Sequence, residues 1–161
     1  MTGTRGSCLP SATMARLIAS FGGTGLLLRR FRGADEGSGT IAGVVAVGIA
    51  IPIQPWWGRL LGLLICLLAG VWAIRSLKPG EEDPGWVVID EAAGTFLATL
   101  GLGLPGLVVG FVVFRVADIA KTVFPGVAQA ERIGGAVGIM ADDLVAGLYG
   151  LAAGWVVQGL A

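Results

Sequence analysis

Apolar residues fall along this chain in continuous runs separated by short polar or glycine-proline breaks. The first run covers Thr40 to Ile53 and the second Leu60 to Ile74. Between them lie Pro52, Gln54 and Pro55 with Trp56 and Trp57, which predict a turn at a membrane interface, where tryptophans form an aromatic belt. The second run ends at Arg75 and Lys78, ahead of Pro79-Gly80. A third helix is expected from about Trp86 to Leu102, broken by Gly103-Leu104-Pro105-Gly106. A fourth is expected from Leu107 to about Lys121, ended by Pro125-Gly126, and a last from near Ala141 through the uncharged segment Leu144 to Leu160. Full spans need ~20 apolar residues, so one or more of these five is short or tilted. The period-2 alternation of a transmembrane barrel is absent. The expected fold is all-α, a polytopic membrane bundle of four to five transmembrane or half-membrane helices.

Composition agrees: 55% of the 161 residues are hydrophobic and 14% charged, and the mean hydropathy is +0.82, all far from an ordinary soluble domain. Residues 1–39 form a glycine-rich basic arm with Arg16, Arg29, Arg30 and Arg32 ahead of Asp35 and Glu36. Such an arm either lies on anionic lipid or contributes to the site. Residues 40–161 are the transmembrane helical domain. Gly22, Gly23 and Gly25 interrupt the mildly apolar stretch after Met14, so no cleaved signal peptide is expected. Cys8 and Cys66 do not form a disulfide framework, and there is no histidine. Eleven basic and eleven acidic residues cancel, and no nucleic-acid partner is expected.

The distribution of charge is more informative than its sum. Basic residues concentrate in the arm, at Arg75 and Lys78, and at Lys121 and Arg132, three regions that share one side if five helices alternate. The positive-inside rule makes that side cytoplasmic, with the N-terminus on it. Asp83, Asp90 and Glu91 then stand at the cytoplasmic start of the third helix, Arg115, Asp118 and Lys121 at the cytoplasmic end of the fourth, and Asp142 and Asp143 at the cytoplasmic start of the last. A carboxylate at the bilayer centre costs ~3 kcal/mol on insertion scales, so carboxylates inside apolar helices face a bundle interior or polar cavity. Gly94 follows Asp90 by four and Gly147 follows Asp143 by four, which places a side-chain-free patch one turn from each carboxylate and lets helices approach.

Carboxylates without histidine or thiolate suit a hard cation held by oxygen, most naturally Mg²⁺. Arginine and lysine beside them suit phosphate oxygens, so phosphoryl chemistry is indicated. Neither cysteine precedes an arginine by five residues, no two aspartates are separated by one residue, and histidine-based lipid phosphatases are excluded. On this reading Asp90, Glu91 and one of Asp142 or Asp143 hold the metal, Arg115 and Lys121 hold phosphate, and Asp118 or the other aspartate orients the attacking water. A direct carboxylate nucleophile is the variant of that scheme.

Asp83-Pro84-Gly85-Trp86 through Asp90-Glu91-Ala92-Ala93-Gly94, Phe114-Arg115-Val116-Ala117-Asp118-Ile119-Ala120-Lys121 and Gly134-Gly135-Ala136-Val137-Gly138-Ile139-Met140-Ala141-Asp142-Asp143 through Gly147 resemble, in this order and spacing, the phosphatidylglycerophosphatase A family. Phe21-Gly22-Gly23 and Ser38-Gly39-Thr40 resemble its N-terminal motif more weakly. The resemblance runs from about residue 17 to 160. It implies a Mg²⁺-dependent enzyme of the bacterial inner membrane that converts phosphatidylglycerophosphate of the cytoplasmic leaflet to phosphatidylglycerol. By position it implies catalytic roles for Asp118, Asp142 and Asp143, phosphate binding by Arg115, Lys121 and Thr40, and metal binding by Asp83, Asp90, Glu91 and Asp143. Two other classes compete. A transporter or channel component would use Asp118, Arg115 and Asp142 as an ion or proton relay spread through the membrane depth. A CDP-alcohol phosphotransferase would need a long paired-aspartate motif on one helical stretch, which this chain lacks.

Overall fold

Helices form where the apolar runs predict them, and they differ from expectation mainly in length. The structure, a computed structural model, describes residues 10–27, 37–78 and 84–160, and its regular structure is all helix, with no strand among them. Helix α1 (Pro10–Ala19) lies within the N-terminal arm and α2 (Ser38–Ala50) begins the apolar domain. Then come α3 (Trp56–Arg75), α4 (Ile89–Ala98), α5 (Leu104–Ile119), the short α6 (Val127–Glu131) and α7 (Gly135–Leu160). Two of these, α3 at 20 residues and α7 at 26, are long and apolar enough to cross a membrane. The other three expected segments are 13 (α2), 10 (α4) and 16 (α5) residues long, below a full span.

The third expected helix is the most shortened. Residues Trp86 to Val88 stay outside α4, buried, with the Val88 N–H donating to Ala19 O at 2.9 Å and so tying the segment to α1. At the other end Thr99 Oγ1 donates to Thr95 O at 2.8 Å, and Gly101 takes φ +72°, a turn open to glycine. Helix α5 starts earlier than expected because Pro105 sits in its first turn, where a missing N–H costs nothing. Helix α7 also starts early. Its glycines do not break it: Gly138 faces α6, and a Cβ there would lie 2.9 Å from Glu131 O.

Glycine contacts set the helix directions. Gly106 meets Gly154 and Gly110 meets Gly150, so α5 and α7 run antiparallel with their backbones in contact. Gly94 meets Gly147, a Cβ on either lying 2.9 Å from a backbone oxygen of the other helix, so α4 and α7 cross at the patch the sequence spacing predicts. Gly62 faces Phe96 and Gly70 faces Ile89, which makes α3 antiparallel to α4. Gly39 faces Glu91 and Gly43 faces Thr95, which makes α2 parallel to it. The starts of α2, α4 and α7 therefore share one end of the bundle with the ends of α3 and α5.

A buried arginine closes the opposite end. Arg59, 3% exposed, donates from Nη1 to Thr99 O and Leu102 O, both at 2.6 Å, and from Nε to Ala50 O at 3.0 Å. It thereby satisfies carbonyls left over where α2 and α4 end, and its charge complements the negative ends of their dipoles.

Gly150→Ala places a Cβ onto the Gly110 carbonyl, whereas Gly48→Ala meets nothing within 4 Å. Overpacking should lower stability by about 1–3 kcal/mol at Gly150. The Gly48 change should be neutral or raise stability by up to about 1 kcal/mol. Thermal unfolding in detergent micelles checks the contrast.

Candidate active site

Three helix ends bring the conspicuous charges to one place. Asp90 and Glu91 occupy the first turn of α4, where the positive end of the helix dipole favours carboxylates. Asp118 is in the last turn of α5, and Lys121 follows in the turn beyond it. Asp142 and Asp143 lie about two turns into α7 and are 4% and 3% exposed. Together with Glu131 from α6, these side chains line one cavity of about 140 Å³.

Asp90, Glu91 and Asp143 each offer a carboxylate oxygen, and the three oxygens lie within 4.8 Å of one another. Asp90 Oδ1, Glu91 Oε2 and Asp143 Oδ2 are buried and have no hydrogen-bond partner among the described residues. Burying an unpaired carboxylate oxygen is costly, and grouping three of them adds mutual repulsion. A shared divalent cation removes both costs, and an all-oxygen donor set suits Mg²⁺ or Ca²⁺ rather than a softer metal.

Glycine shapes this group. A Cβ on Gly39 would overlap the Glu91 carboxylate, so α2 reaches the cluster only because it has no side chain there. Ser38 Oγ donates to Gly85 O, which ties the start of α2 to the segment leading into α4. A Cβ on Gly94 would lie 2.9 Å from Asp143 O, so the same crossing that joins α4 and α7 brings Asp90 and Asp143 together.

The basic residues divide into two arrangements. Lys121 Nζ lies 2.6 Å from Asp142 Oδ2 and 3.0 Å from Glu131 Oε1. Partial burial alone would depress its ammonium, but the hydrogen bonds and charges of Asp142 and Glu131 outweigh that and hold its pKa above the ordinary lysine value. Arg115 Nη1 lies 2.8 Å from Asp118 Oδ2 and its Nη2 donates to Thr40 Oγ1 at 3.3 Å. Arg115 and Thr40 are not among the residues that line the cavity, whereas Asp118 is. Arg115 Nε remains buried without a partner.

Of the residues singled out from sequence, Asp90, Glu91, Asp118, Lys121, Asp142 and Asp143 meet in the cavity. Arg115 and Thr40 join through Asp118, and Asp83 lies outside the described residues. Glu131 and Gly39 are additions. Glu131 is ten residues from Lys121 with a turn between, so no helical spacing marks the pair. Gly39 is visible in sequence only as part of a weak motif, without a hint that it faces Glu91.

A family model described as PgpA, phosphatidylglycerophosphatase A, matches residues 17–158. A protein of Bacteroides thetaiotaomicron provisionally named a phosphatidylinositol-3-phosphatase is 32% identical over 111 residues, covering 63% of this chain and 69% of the relative. The phosphatidylglycerophosphatase A of Haemophilus influenzae is 29% identical over 126 residues, 75% of this chain and 74% of the relative. That of Escherichia coli K12 is 28% identical over 117 residues, with 68% and 67% covered. No solved structure matches the chain.

Gly39→Ala tests the cluster without touching a charge. Displacing the Glu91 carboxylate should weaken Mn²⁺ binding, read by paramagnetic resonance of the free ion, by roughly 10–100-fold, as disturbance around a metal ligand typically does. Unchanged binding would show that Glu91 does not depend on this contact.

Proposed function

The chain belongs to the phosphatidylglycerophosphatase A family and is a phosphatase, and from that membership we propose that it hydrolyses the terminal phosphate of phosphatidylglycerophosphate to give phosphatidylglycerol, in a Mg²⁺-dependent reaction. The observation that carries the metal-dependent reading is the clustering of the Asp90, Glu91 and Asp143 carboxylates, each with a buried oxygen unpartnered among the described residues, in a cavity shared with Lys121. The substrate follows the family description and the names of two of the three relatives.

The geometry supports the following proposed roles. Asp90, Glu91 and Asp143 hold the cation; the role of Asp83 as a further ligand rests on the family resemblance alone. Mg²⁺, when bound, polarises the phosphoryl group and neutralises charge on its oxygens. Lys121 has three N–H donors and uses two on Asp142 and Glu131, leaving one for a phosphate oxygen. Arg115, ion-paired with Asp118 and bonded to Thr40, supplies positive charge beside the cavity that favours a phosphate there. Asp118, steadied by Arg115, orients water for in-line attack and takes its proton as the water oxygen bonds phosphorus and the bond to the glycerol oxygen breaks, the departing oxygen taking up a proton to leave as the alcohol.

The same reading places the protein in the bacterial inner membrane, multi-pass, with its N-terminus cytoplasmic and the site at the cytoplasmic leaflet. An exposed apolar surface supports immersion in lipid: Leu61, Leu64, Ile65 and Leu68 on α3, Val108, Val112 and Val116 on α5, and Trp155 and Val156 on α7 are all 46% exposed or more. The acidic groups gather at one end of the bundle instead of spreading through its depth, which is why an ion relay is not favoured.

The test is phosphate release in detergent micelles from phosphatidylglycerophosphate and, in parallel, from phosphatidylinositol 3-phosphate, with Mg²⁺ or EDTA. Release from the first substrate, abolished by EDTA, is expected; preference for the second would overturn the substrate, and no release would overturn the reaction. Asp118→Asn should cost about 10²–10⁴-fold in kcat, the range for losing a general base, with Mn²⁺ binding preserved.

A further inference from the structure

Asp142 and Asp143 are adjacent and equally buried, yet their carboxylates face different partners. Both oxygens of Asp142 are engaged: Oδ2 receives the Lys121 ammonium at 2.6 Å, and Oδ1 accepts the Asp143 N–H at 3.0 Å. Asp143 Oδ2 is buried with no hydrogen-bond partner among the described residues, and the Asp143 carboxylate clusters with those of Asp90 and Glu91. Adjacency alone does not divide them, since Asp90 and Glu91 are also neighbours and cluster together; the partners of Asp142 and Asp143 do.

Resting on the phosphatase reading above, we propose that the two aspartates divide the work: Asp143 completes a site for a single divalent cation with Asp90 and Glu91, while Asp142 and Glu131 hold the Lys121 ammonium in the place a second cation would take. Phosphoryl-transfer sites with two metal ions clamp the reacting oxygens from both sides. Here one metal and one fixed ammonium supply the two positive centres. Glu131 is thereby a positioning residue, outside the motifs that the sequence marks.

Its support is mechanical. Helix α6 is anchored by buried Val127 and Ala130, its start is closed by the Gly126 N–H donating to Gln129 Oε1 at 2.8 Å, and its end passes α7 where Gly138 has no side chain. Next to it, Tyr149 Oη donates to Pro125 O at 2.8 Å and its ring meets Phe124 edge-on, which fixes the turn carrying Lys121. The ammonium is therefore held from α6 and α7 at once, although lysine has a flexible four-carbon stem.

Counting bound Mn²⁺ by paramagnetic resonance, on full-length protein in micelles, separates the two aspartates. The wild type should bind one ion. Asp143→Asn should lose affinity by about tenfold or more, and Asp142→Asn by less than about threefold. Because Asp142→Asn strips Lys121 of its buried partner, the double variant Asp142→Asn with Lys121→Met, which removes both charges, is measured as well and should also keep one ion. Kinetically, Asp142→Asn and Glu131→Gln should raise KM for the phosphate substrate, more than Mn²⁺ affinity changes, a split that a general loss of packing does not give. Two ions in the wild type would overturn the proposal, as would equal loss of Mn²⁺ in Asp142→Asn or the double variant and in Asp143→Asn. Either result leaves the phosphatase reading standing if phosphate is still released, whereas absence of release with one bound ion would sink that reading alone.

Discussion

Asp90, Glu91 and Asp143 cluster their carboxylates, and each has a buried oxygen with no hydrogen-bond partner among the described residues, an arrangement the rest of the fold accommodates. Burial of unpaired charge costs several kcal/mol per group in real proteins. A cluster of this kind could hold a cation, which would offset that cost. The contrast inside the same cavity sharpens the point, because Asp142 is equally buried and fully engaged, by Lys121 and by a backbone N–H.

Bringing acidic groups from α4 and α7 together requires helix axes closer than ordinary side chains permit. Gly94 against Gly147 supplies that approach near the carboxylates, and the Gly110–Gly150 and Gly106–Gly154 contacts continue it along α5 and α7. In a lipid environment, where apolar burial gives helices little reason to associate, close backbone packing of small residues is a principal source of adhesion. Arg59 does complementary work at the other end by holding the terminal carbonyls of α2 and α4. The site thus occupies one end of a bundle whose other end is pinned.

Much of this was legible in the chain itself, for a physical reason: apolar runs and their breaks set helix order, and order with alternation sets which ends coincide. Asp90, Asp118, Lys121 and Asp143 follow from that logic, and the four-residue offsets of Gly94 and Gly147 read correctly as packing surface. Boundaries were less legible. Gly135 and Gly138 look like a break but lie within α7, Gly138 against α6, and Trp86 to Val88 are apolar enough for a helix but stay outside it, tied to α1 through Val88. Glu131 and the Arg59 clamp depend on contacts between segments distant in sequence, which periodicity does not encode. The two long helices, α3 and α7, reach span length, and the shorter α2, α4 and α5 were not separable from them by hydropathy alone.

If the unpaired carboxylates exist for a shared cation, that cation must stabilise the folded protein whether or not substrate is present. The direct measurement is the thermal unfolding midpoint in micelles as Mg²⁺ is titrated against EDTA. At about 100 times the dissociation constant, linkage gives ~2.7 kcal/mol, or roughly 5–10 °C for a chain of this size. A rise of that order, absent in Asp143→Asn, is what this account predicts. A midpoint indifferent to Mg²⁺ in the wild type would contradict it.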